Sequence, residues 1–319
     1  MTMNSLCVEP AFPGWQSPCC MPRMNLHLRT HTLLMDTPSR RLVLAAALCT
    51  PWMGASGADL SSAPLRIGLT PVFLDDQVAF LNQLRSYLEQ RLLRPVAFVQ
   101  RGSYREVVAL LKQGNLDFAW LCGYPYVRNR DSLKLLAVPV YQGRPVYRSY
   151  LIVPASDSRT HSVLDLRGKV FAYSDPNSNS GYLFTQFLLR SLNERPESFF
   201  GKTFFTWAHR KVVEAVAVGL AQGGAVDGYV WDTLALLHPD LTARTSIVER
   251  SPEFGFPPIV ASTTASAAQV SNLRDVLLGM HADAGGAALL KRLNLDGFEA
   301  GSPALYDSVA AMARVVAGD

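Results

Sequence analysis

The chain has 319 residues, of which 49% are hydrophobic and 18% are charged, with a formal net charge of +4. This composition is typical of a globular protein with a large apolar core. A basic excess this small excludes the dense positive surface by which proteins bind nucleic acids, so no nucleic-acid partner is expected.

The first predicted feature is an export signal within residues 1–58. Arg40 and Arg41 precede the apolar run 42–48, and small residues follow as far as Ala58. A basic segment, a short apolar segment and a small-residue cleavage zone form the pattern of a removable signal, and paired arginines suit the twin-arginine route. We therefore expect cleavage near Ala58 and a periplasmic protein.

From residue 63 onward, short apolar runs alternate with amphipathic stretches, which predicts an α/β fold of mostly parallel strands joined by right-handed crossovers. The predicted strands are 65–69, 96–99, 118–121, 135–140, 147–153, 169–173, 202–206, 226–230, 245–249 and 259–262. The predicted helices are 76–92, 103–112, 182–189, 210–220, 267–279, 282–292 and 302–316.

Two extended segments, near 148–153 and 250–260, connect two α/β units. We expect residues 59–150 plus 256–319 to form lobe 1 and residues 151–255 to form lobe 2, each with a mixed sheet flanked by helices. Ligands of open α/β sheets lie at the carboxyl ends of strands, so the predicted site is the cleft between the lobes. The two hinge crossings would let the lobes close on a ligand.

The loop 174–182, with the sequence SDPNSNSGY, is the central motif. It follows a predicted strand and precedes a predicted helix, whose first N–H groups have no partner inside the helix and carry partial positive charge. With the hydroxyls of Ser178 and Ser180, this helix start would bind a tetrahedral oxyanion or a carboxylate. The alternative is an ordinary capped helix, because Ser and Asn caps are common.

The remaining candidate residues are ambiguous from the sequence alone. Tyr104 and Tyr126 suit core packing as well as hydrogen bonding, and His209 suits a solvated helix start as well as a ligand contact. The histidines at 161, 238 and 281 lack the spacing of metal ligands, so no metal site and no cofactor are expected. Enzyme signatures such as a nucleophile elbow, a Walker loop or a Rossmann fingerprint are absent from the sequence, which favours a binding protein.

Short motifs recur in order along residues 63–315: IGLTP at 67–71, GSY at 102–104, GNLDFAW at 114–120, YPYV at 124–127, SGY at 180–182, AH at 208–209 and GAVDG at 224–228. In this order the chain resembles the periplasmic phosphonate-binding proteins, the solute-binding subunits of phosphate, phosphite and phosphonate importers. The resemblance implies a monomeric two-lobed periplasmic binding protein of type II. It would capture a small oxyanion and present it to an ABC permease.

The resemblance also implies roles for single residues. The oxyanion would lie on the amides and side chains of Ser178, Asn179 and Ser180, with hydroxyl donors from Tyr104 and Tyr126 and a further donor from His209. Asp232 corresponds to an acidic position that holds the amine of an aminoalkyl phosphonate. As an alternative to amine binding at this position, Trp231 would form an apolar wall of the cleft.

Cys122 departs from the family pattern, which commonly has a Gly-Pro pair near this point. If residues 1–58 are removed, it is the one cysteine left, so no intramolecular disulfide can form. It is either an inert small side chain or a thiol in the cleft, as in a related branch of arsenite-binding sensors that signal to a membrane histidine kinase. A third alternative is a thiol enzyme in which His209 acts as the base.

Overall fold

The protein was analysed as a computed structural model, which describes residues 63–70 and 78–318. The predicted export signal lies outside the described residues and stays a prediction. Within the described residues, no helix has both the length and the apolar character needed to cross a membrane.

The strands of the described residues form two mixed sheets and a short ribbon. The larger sheet has the order β13-β4-β12-β3-β1-β2 and the smaller one β10-β6-β9-β7-β8, while β5 pairs with β11. The strands are β1 Leu65–Leu69, β2 Val96–Gln100, β3 Phe118–Trp120, β4 Leu133–Val140, β5 Val146–Tyr147, β6 Ser149–Pro154, β7 Val170–Tyr173, β8 Lys202–Phe205, β9 Gly223–Asp227, β10 Thr245–Arg250, β11 Phe254–Gly255, β12 Ile259–Ser262 and β13 Gly297–Glu299.

Helices connect and flank these strands. They are α1 Val78–Leu92, α2 Tyr104–Lys112, α3 Gly123–Arg128, α4 Phe184–Ser191, α5 Pro196–Phe199, α6 His209–Ala217, α7 Gly228–Leu237, α8 Pro239–Thr242, α9 Ala267–Gly279, α10 Ala284–Arg292 and α11 Asp307–Ala317. Several begin where a side chain caps the first turn, as Ser103 does by accepting a hydrogen bond from the Glu106 N–H. One turn of π-helix, Asn179–Leu183, leads into α4.

We call the part of the chain around the larger sheet lobe 1 and the part around the smaller sheet lobe 2. In lobe 1, β1 is parallel to both β2 and β3, which agrees with the predicted βαβαβ order. In lobe 2, β7 is parallel to both β8 and β9. The chain passes between the lobes twice, and both passages lie in the antiparallel β5–β11 ribbon. The two-lobed architecture with two crossings agrees with the prediction.

Buried apolar side chains pack against both sheets, and the larger of the two buried clusters contains residues of both lobes. The residues of β3 are at most 5% exposed because β1 and β12 cover its two edges and helices cover its faces. In lobe 2, Phe171 stacks on Phe200 with ring centroids 4.2 Å apart, and Phe199 meets Phe200 edge-on.

Several elements differ from the prediction. The expected strand 226–230 is wrong beyond Asp227, because the Asp227 side chain accepts a hydrogen bond from the Val230 N–H and starts helix α7. The expected strand 147–153 is divided into β5 and β6. The short elements α3, α5, α8 and β13 were not predicted from the sequence.

Candidate functional site

The candidate site lies where the carboxyl ends of strands from both lobes meet. Cys122 follows β3, and Tyr104 starts the helix after β2, both in lobe 1. In lobe 2, the loop 174–182 follows β7, and His209 starts the helix after β8. Contacts between these groups show the lobes closed on each other. The site is therefore built by the strand-end geometry expected of open α/β sheets.

The protonation state of His209 decides whether its ring offers a hydrogen-bond donor or an acceptor to the site. Its side chain is 1% exposed, and its Nδ1 accepts a hydrogen bond of 3.0 Å from the Asp227 backbone N–H. Burial lowers the pKa of His209 to about 3, so the ring is neutral at physiological pH. Because Nδ1 acts as the acceptor, the single ring proton is on Nε2. His209 therefore presents a donor to the space between the lobes.

Two hydroxyl groups face that donor. Tyr104 Oη and Ser178 Oγ each lie 3.4 Å from His209 Nε2, one from each lobe. Both side chains are at most 1% exposed. Since Nε2 carries a proton, the hydroxyl hydrogens of Tyr104 and Ser178 find no acceptor in these contacts, which are long for hydrogen bonds. The cluster is rich in donors.

The start of the π-turn adds further polar groups. Ser180 Oγ, Asn179 Oδ1 and Ser174 Oγ are buried and have no hydrogen-bond partner, although the Ser180 carbonyl accepts from Ser149 Oγ at 2.7 Å. Buried polar groups without partners are rare and cost free energy. Gly181 is required here, because a Cβ at this position would lie 1.9 Å from Ser174 Oγ.

Cys122 closes the site from the side of lobe 1. Its Sγ accepts a hydrogen bond of 3.3 Å from the Asn179 N–H. The sequence predicts that this amide is free for a ligand, but in the structure it has a partner. The closed lobes bring the end of β3 onto the loop of lobe 2, and the sulfur takes the place next to the amide. Burial raises the pKa of the Cys122 thiol to about 11, which keeps it protonated at physiological pH.

Tyr147 is a site residue that the sequence analysis missed. It lies on β5 in the ribbon between the lobes, is 3% exposed, and its hydroxyl accepts from Asn179 Nδ2 at 3.1 Å. The residue pattern of its strand does not distinguish a tyrosine of the site from a tyrosine that packs in the core. Tyr126 is also buried, but its ring packs edge-on against Tyr306 with centroids 4.9 Å apart.

Trp231 and Asp232 lie on α7 and have their contacts in a second cluster. Trp231 Nε1 donates to Thr245 Oγ1 at 3.1 Å. Asp232 Oδ2 accepts from the hydroxyls of Tyr141 and Tyr150, at 2.8 and 2.9 Å. The Asp232 carboxylate therefore already has two donors from the protein. Its role as acceptor of a ligand amine stays a prediction.

Asp227 supports the site from below. Its backbone N–H orients His209, and its buried carboxyl caps α7, so one residue fixes both elements. Burial raises the pKa of this carboxyl to about 8. Among the described residues, no group of three or more His, Cys, Asp or Glu side chains is arranged to hold a metal ion.

Comparison with known proteins places the chain in a family. The model of a family described as "ABC transporter, phosphonate, periplasmic substrate-binding protein" matches residues 67–306. A curated relative, the phosphate-import protein PhnD of Mycolicibacterium smegmatis, is 27% identical over 170 residues, which are 50% of this chain and 52% of the relative. The matched segment thus spans about half the length of that relative.

Solved structures show the same fold. The binding protein component of an ABC phosphonate transporter from Pseudomonas aeruginosa has a TM-score of 0.74 and 21% identity, covering 80% of this chain and 87% of that one. PhnD1 from Prochlorococcus marinus, solved in complex with methylphosphonate, has a TM-score of 0.71 and 20% identity, covering 80% and 98%.

Proposed function

The chain belongs to the family of periplasmic substrate-binding proteins of phosphonate ABC transporters, and from this premise we propose that it captures a small phosphorus oxyanion between its lobes. The candidate ligands are phosphate, phosphite and phosphonates. The loaded protein then delivers the anion to the permease of an ABC importer, outside the cytoplasm. It acts as a monomer and catalyses no reaction.

The observation that carries this proposal is the excess of buried donors at one point. The Nε2–H of His209 and the hydroxyls of Tyr104 and Ser178 converge, while the nearby Ser180 hydroxyl has no partner. A buried cluster of donors without acceptors is costly, and an anion supplies several acceptors at once. Hydrogen bonds to a charged acceptor are also stronger than those between neutral groups.

Ligand entry requires the contact between Cys122 and Asn179 to give way. The Asn179 N–H now donates to a neutral sulfur, which is a weak acceptor. A phosphoryl oxygen would be a stronger acceptor for the same amide and would lie at the start of the π-turn, where the helix dipole favours negative charge. We infer that the anion replaces the sulfur as the partner of this amide.

The ligand class is inferred from the acidic side chains near the site, whose oxygens already have partners. Asp232 already accepts two phenol hydrogen bonds, and Asp227 caps α7. A ligand ammonium would have to compete with these contacts, so we infer that the preferred ligand is a small anion without an amine. The alternative is that Asp232 binds the amine of an aminoalkyl phosphonate. Including aminoethylphosphonate among the ligands of the binding experiment decides between the two.

The thiol alternatives are less compatible with the geometry. A general base for Cys122 would need a free lone pair on His209, but Nδ1 is engaged by Asp227 and Nε2 carries the proton. A thiol enzyme is therefore disfavoured. Arsenite binding would need the thiolate, and burial raises the thiol pKa to about 11. An arsenite arm with Cys122→Ala tests this alternative.

Thermal unfolding in the presence of candidate ligands tests the proposal. Phosphate, phosphite, methylphosphonate, aminoethylphosphonate, sulfate and arsenite are compared, because a ligand that binds only the native state raises its stability, by about 2.7 kcal/mol at 100 times Kd. We expect one or more phosphorus oxyanions to raise the melting temperature. Ser180→Ala should weaken that ligand about 10- to 100-fold, the effect of losing a hydrogen bond to a charge.

Ser191→Ala is the matched control. Ser191 is an exposed serine on α4 whose hydroxyl donates to the Phe187 carbonyl, so its loss should leave affinity unchanged. An equal loss of affinity in Ser180→Ala and Ser191→Ala would contradict a specific ligand contact at Ser180. The proposal itself is rejected if none of the phosphorus oxyanions stabilises the protein, or if arsenite alone does so and loses its effect in Cys122→Ala.

A further inference from the structure

We propose that Asp175 is a positioning residue whose carboxylate holds lobe 2 to the start of helix α2 in lobe 1 and thereby keeps Tyr104 at the donor cluster. The inference deepens the proposed function, on which it rests for its effect on ligand affinity. Its effect on lobe closure does not depend on the identity of the ligand.

The Asp175 carboxylate joins two lobes with its two oxygens. Oδ1 accepts a hydrogen bond of 2.7 Å from the Asn177 N–H within its own loop. Oδ2 accepts one of 3.1 Å from the backbone N–H of Tyr104, the first residue of α2. The side chain is 1% exposed, so both bonds are shielded from water.

The contact is electrostatically favourable because of where it lies. The first N–H groups of a helix carry partial positive charge, and α2 has nine residues. Ser103 caps α2 from within its own lobe through the Glu106 N–H, which leaves the Tyr104 N–H for the carboxylate from the opposite lobe. The charge of Asp175 thus stabilises the closed arrangement and gives nothing to α2 once the lobes separate.

The contact also fixes the aromatic donor. The backbone N–H and the side chain of Tyr104 both point to lobe 2, the first to Asp175 and the second to His209 Nε2. With the N–H held, the backbone of Tyr104 stays against lobe 2, where its hydroxyl lies 3.4 Å from His209 Nε2. Asp175 therefore acts on the ligand through Tyr104 and through closure, without touching the ligand itself.

Cys122 provides an internal reporter of closure. Its thiol is 2% exposed and lies between the lobes, so it reacts with N-ethylmaleimide when they separate. The rate of alkylation of the Cys122 peptide is measured by mass spectrometry in the ligand-free full chain. Asp175→Asn should raise this rate about tenfold, because the amide has only one acceptor oxygen for two N–H groups. The radius of gyration from small-angle X-ray scattering should rise with it.

Asp157→Asn is the matched control. Asp157 caps the Arg159 and Thr160 N–H groups in a loop of lobe 2, with no partner across the interface in its hydrogen bonds. It should leave both measurements at wild-type values. The proposal is overturned if Asp175→Asn alkylates at the wild-type rate, if both variants change equally, or if the rate rises without an increase in the radius of gyration. These readings need no ligand, so they stand apart from any failure of the oxyanion proposal.

Discussion

His209 and Asp227 are joined by one hydrogen bond, yet burial shifts their pKa values in opposite directions. The pKa of His209 falls from 6.5 to about 3, and the pKa of Asp227 rises from 3.8 to about 8. Both residues are therefore neutral in the folded protein over a wide range of pH. A neutral pair is what the site needs, because an imidazolium or a carboxylate here would change the charge that the ligand meets.

These shifts link stability to pH with opposite signs. The stability that His209 contributes is present above pH 6.5 and is lost as the pH falls toward 3, because the unfolded chain binds the proton first. The contribution of Asp227 is present below pH 3.8 and is lost as the pH rises through 8, because the folded protein keeps the proton longer. Between about pH 4 and 6.5 the two slopes cancel.

Replacing either residue alone should reveal how the other one makes the free energy of unfolding depend on pH. In Asp227→Asn, which keeps a capping side chain, the free energy of unfolding should rise from pH 4 to 6.5 more than in the wild type, by at most about 1.4 kcal/mol per pH unit. In His209→Gln it should fall over the same interval. Urea unfolding at several pH values measures both. Parallel changes in the two variants would contradict the assignment of opposite slopes.

Residue types near the site could be predicted from the sequence better than their contacts. The loop of Ser178, Asn179 and Ser180 is identified by its small polar residues between a strand and a helix, and the structure places it at the interface. The partner of the Asn179 amide could not be predicted, because Cys122 is 57 residues away and meets it only when the lobes close. Tyr147 was missed for another reason, because nothing in the sequence around it distinguishes it from a packing aromatic.

At the scale of elements, the π-turn before α4 depends on one glycine. A Cβ on Gly181 would lie 1.9 Å from Ser174 Oγ, 2.8 Å from Ser174 Cβ and 3.0 Å from His209 Cε1. The turn packs this tightly because the Ser174 N–H donates to the Gly181 carbonyl. Wider turns of this kind are often found at functional sites.

Gly181→Ala should therefore destabilise the protein by about 1–3 kcal/mol, the usual cost of overpacking. Denaturant unfolding measures the change. Gly279→Ala is the control, since a Cβ there meets no atom within 4 Å. Ser174→Gly, which removes both close atoms, should restore part of the loss in the double variant. A Gly181→Ala protein as stable as the control would refute the close contact.

Elements with a clear pattern could be predicted, and elements set by one side chain could not. Apolar runs placed most strands within a few residues of their observed positions. The residues after Asp227 also look like a strand, but its side chain caps a helix there, which no periodicity reveals. Helix α3 escaped detection because it is only six residues long and contains Pro125.

At the scale of the whole molecule, a second set of contacts closes the lobes away from the donor cluster. Tyr141 of lobe 1 donates to Asp232 of lobe 2 at 2.8 Å. Tyr229 of lobe 2 donates to the Leu293 carbonyl at 2.6 Å, and Asn294 Nδ2 donates to Thr233 Oγ1 at 3.1 Å. These contacts between the lobes lie outside the cluster of His209, Tyr104 and Ser178.

Tyr229→Phe should favour opening of the lobes without removing a residue of the donor cluster. Losing one hydrogen bond of about 1 kcal/mol should raise the dissociation rate of a bound phosphorus oxyanion roughly fivefold, with a smaller change in the association rate. Stopped-flow binding measures both rates. Tyr173→Phe is the control, because its hydroxyl accepts from Gln186 within lobe 2. Equal dissociation rates in Tyr229→Phe and wild type would show that this contact does not restrain opening.

The pairing of β5 with β11 has a mechanical consequence. The Phe254–Tyr147 and Gly255–Val146 pairs tie the outgoing and returning chain into one ladder. Because the two passages are hydrogen-bonded to each other, a bend in one is expected to bend the other as well. Tyr147 belongs to this ladder and accepts a hydrogen bond from Asn179 Nδ2, so a rotation of the lobes would change the surroundings of a side chain that we propose lies next to the anion.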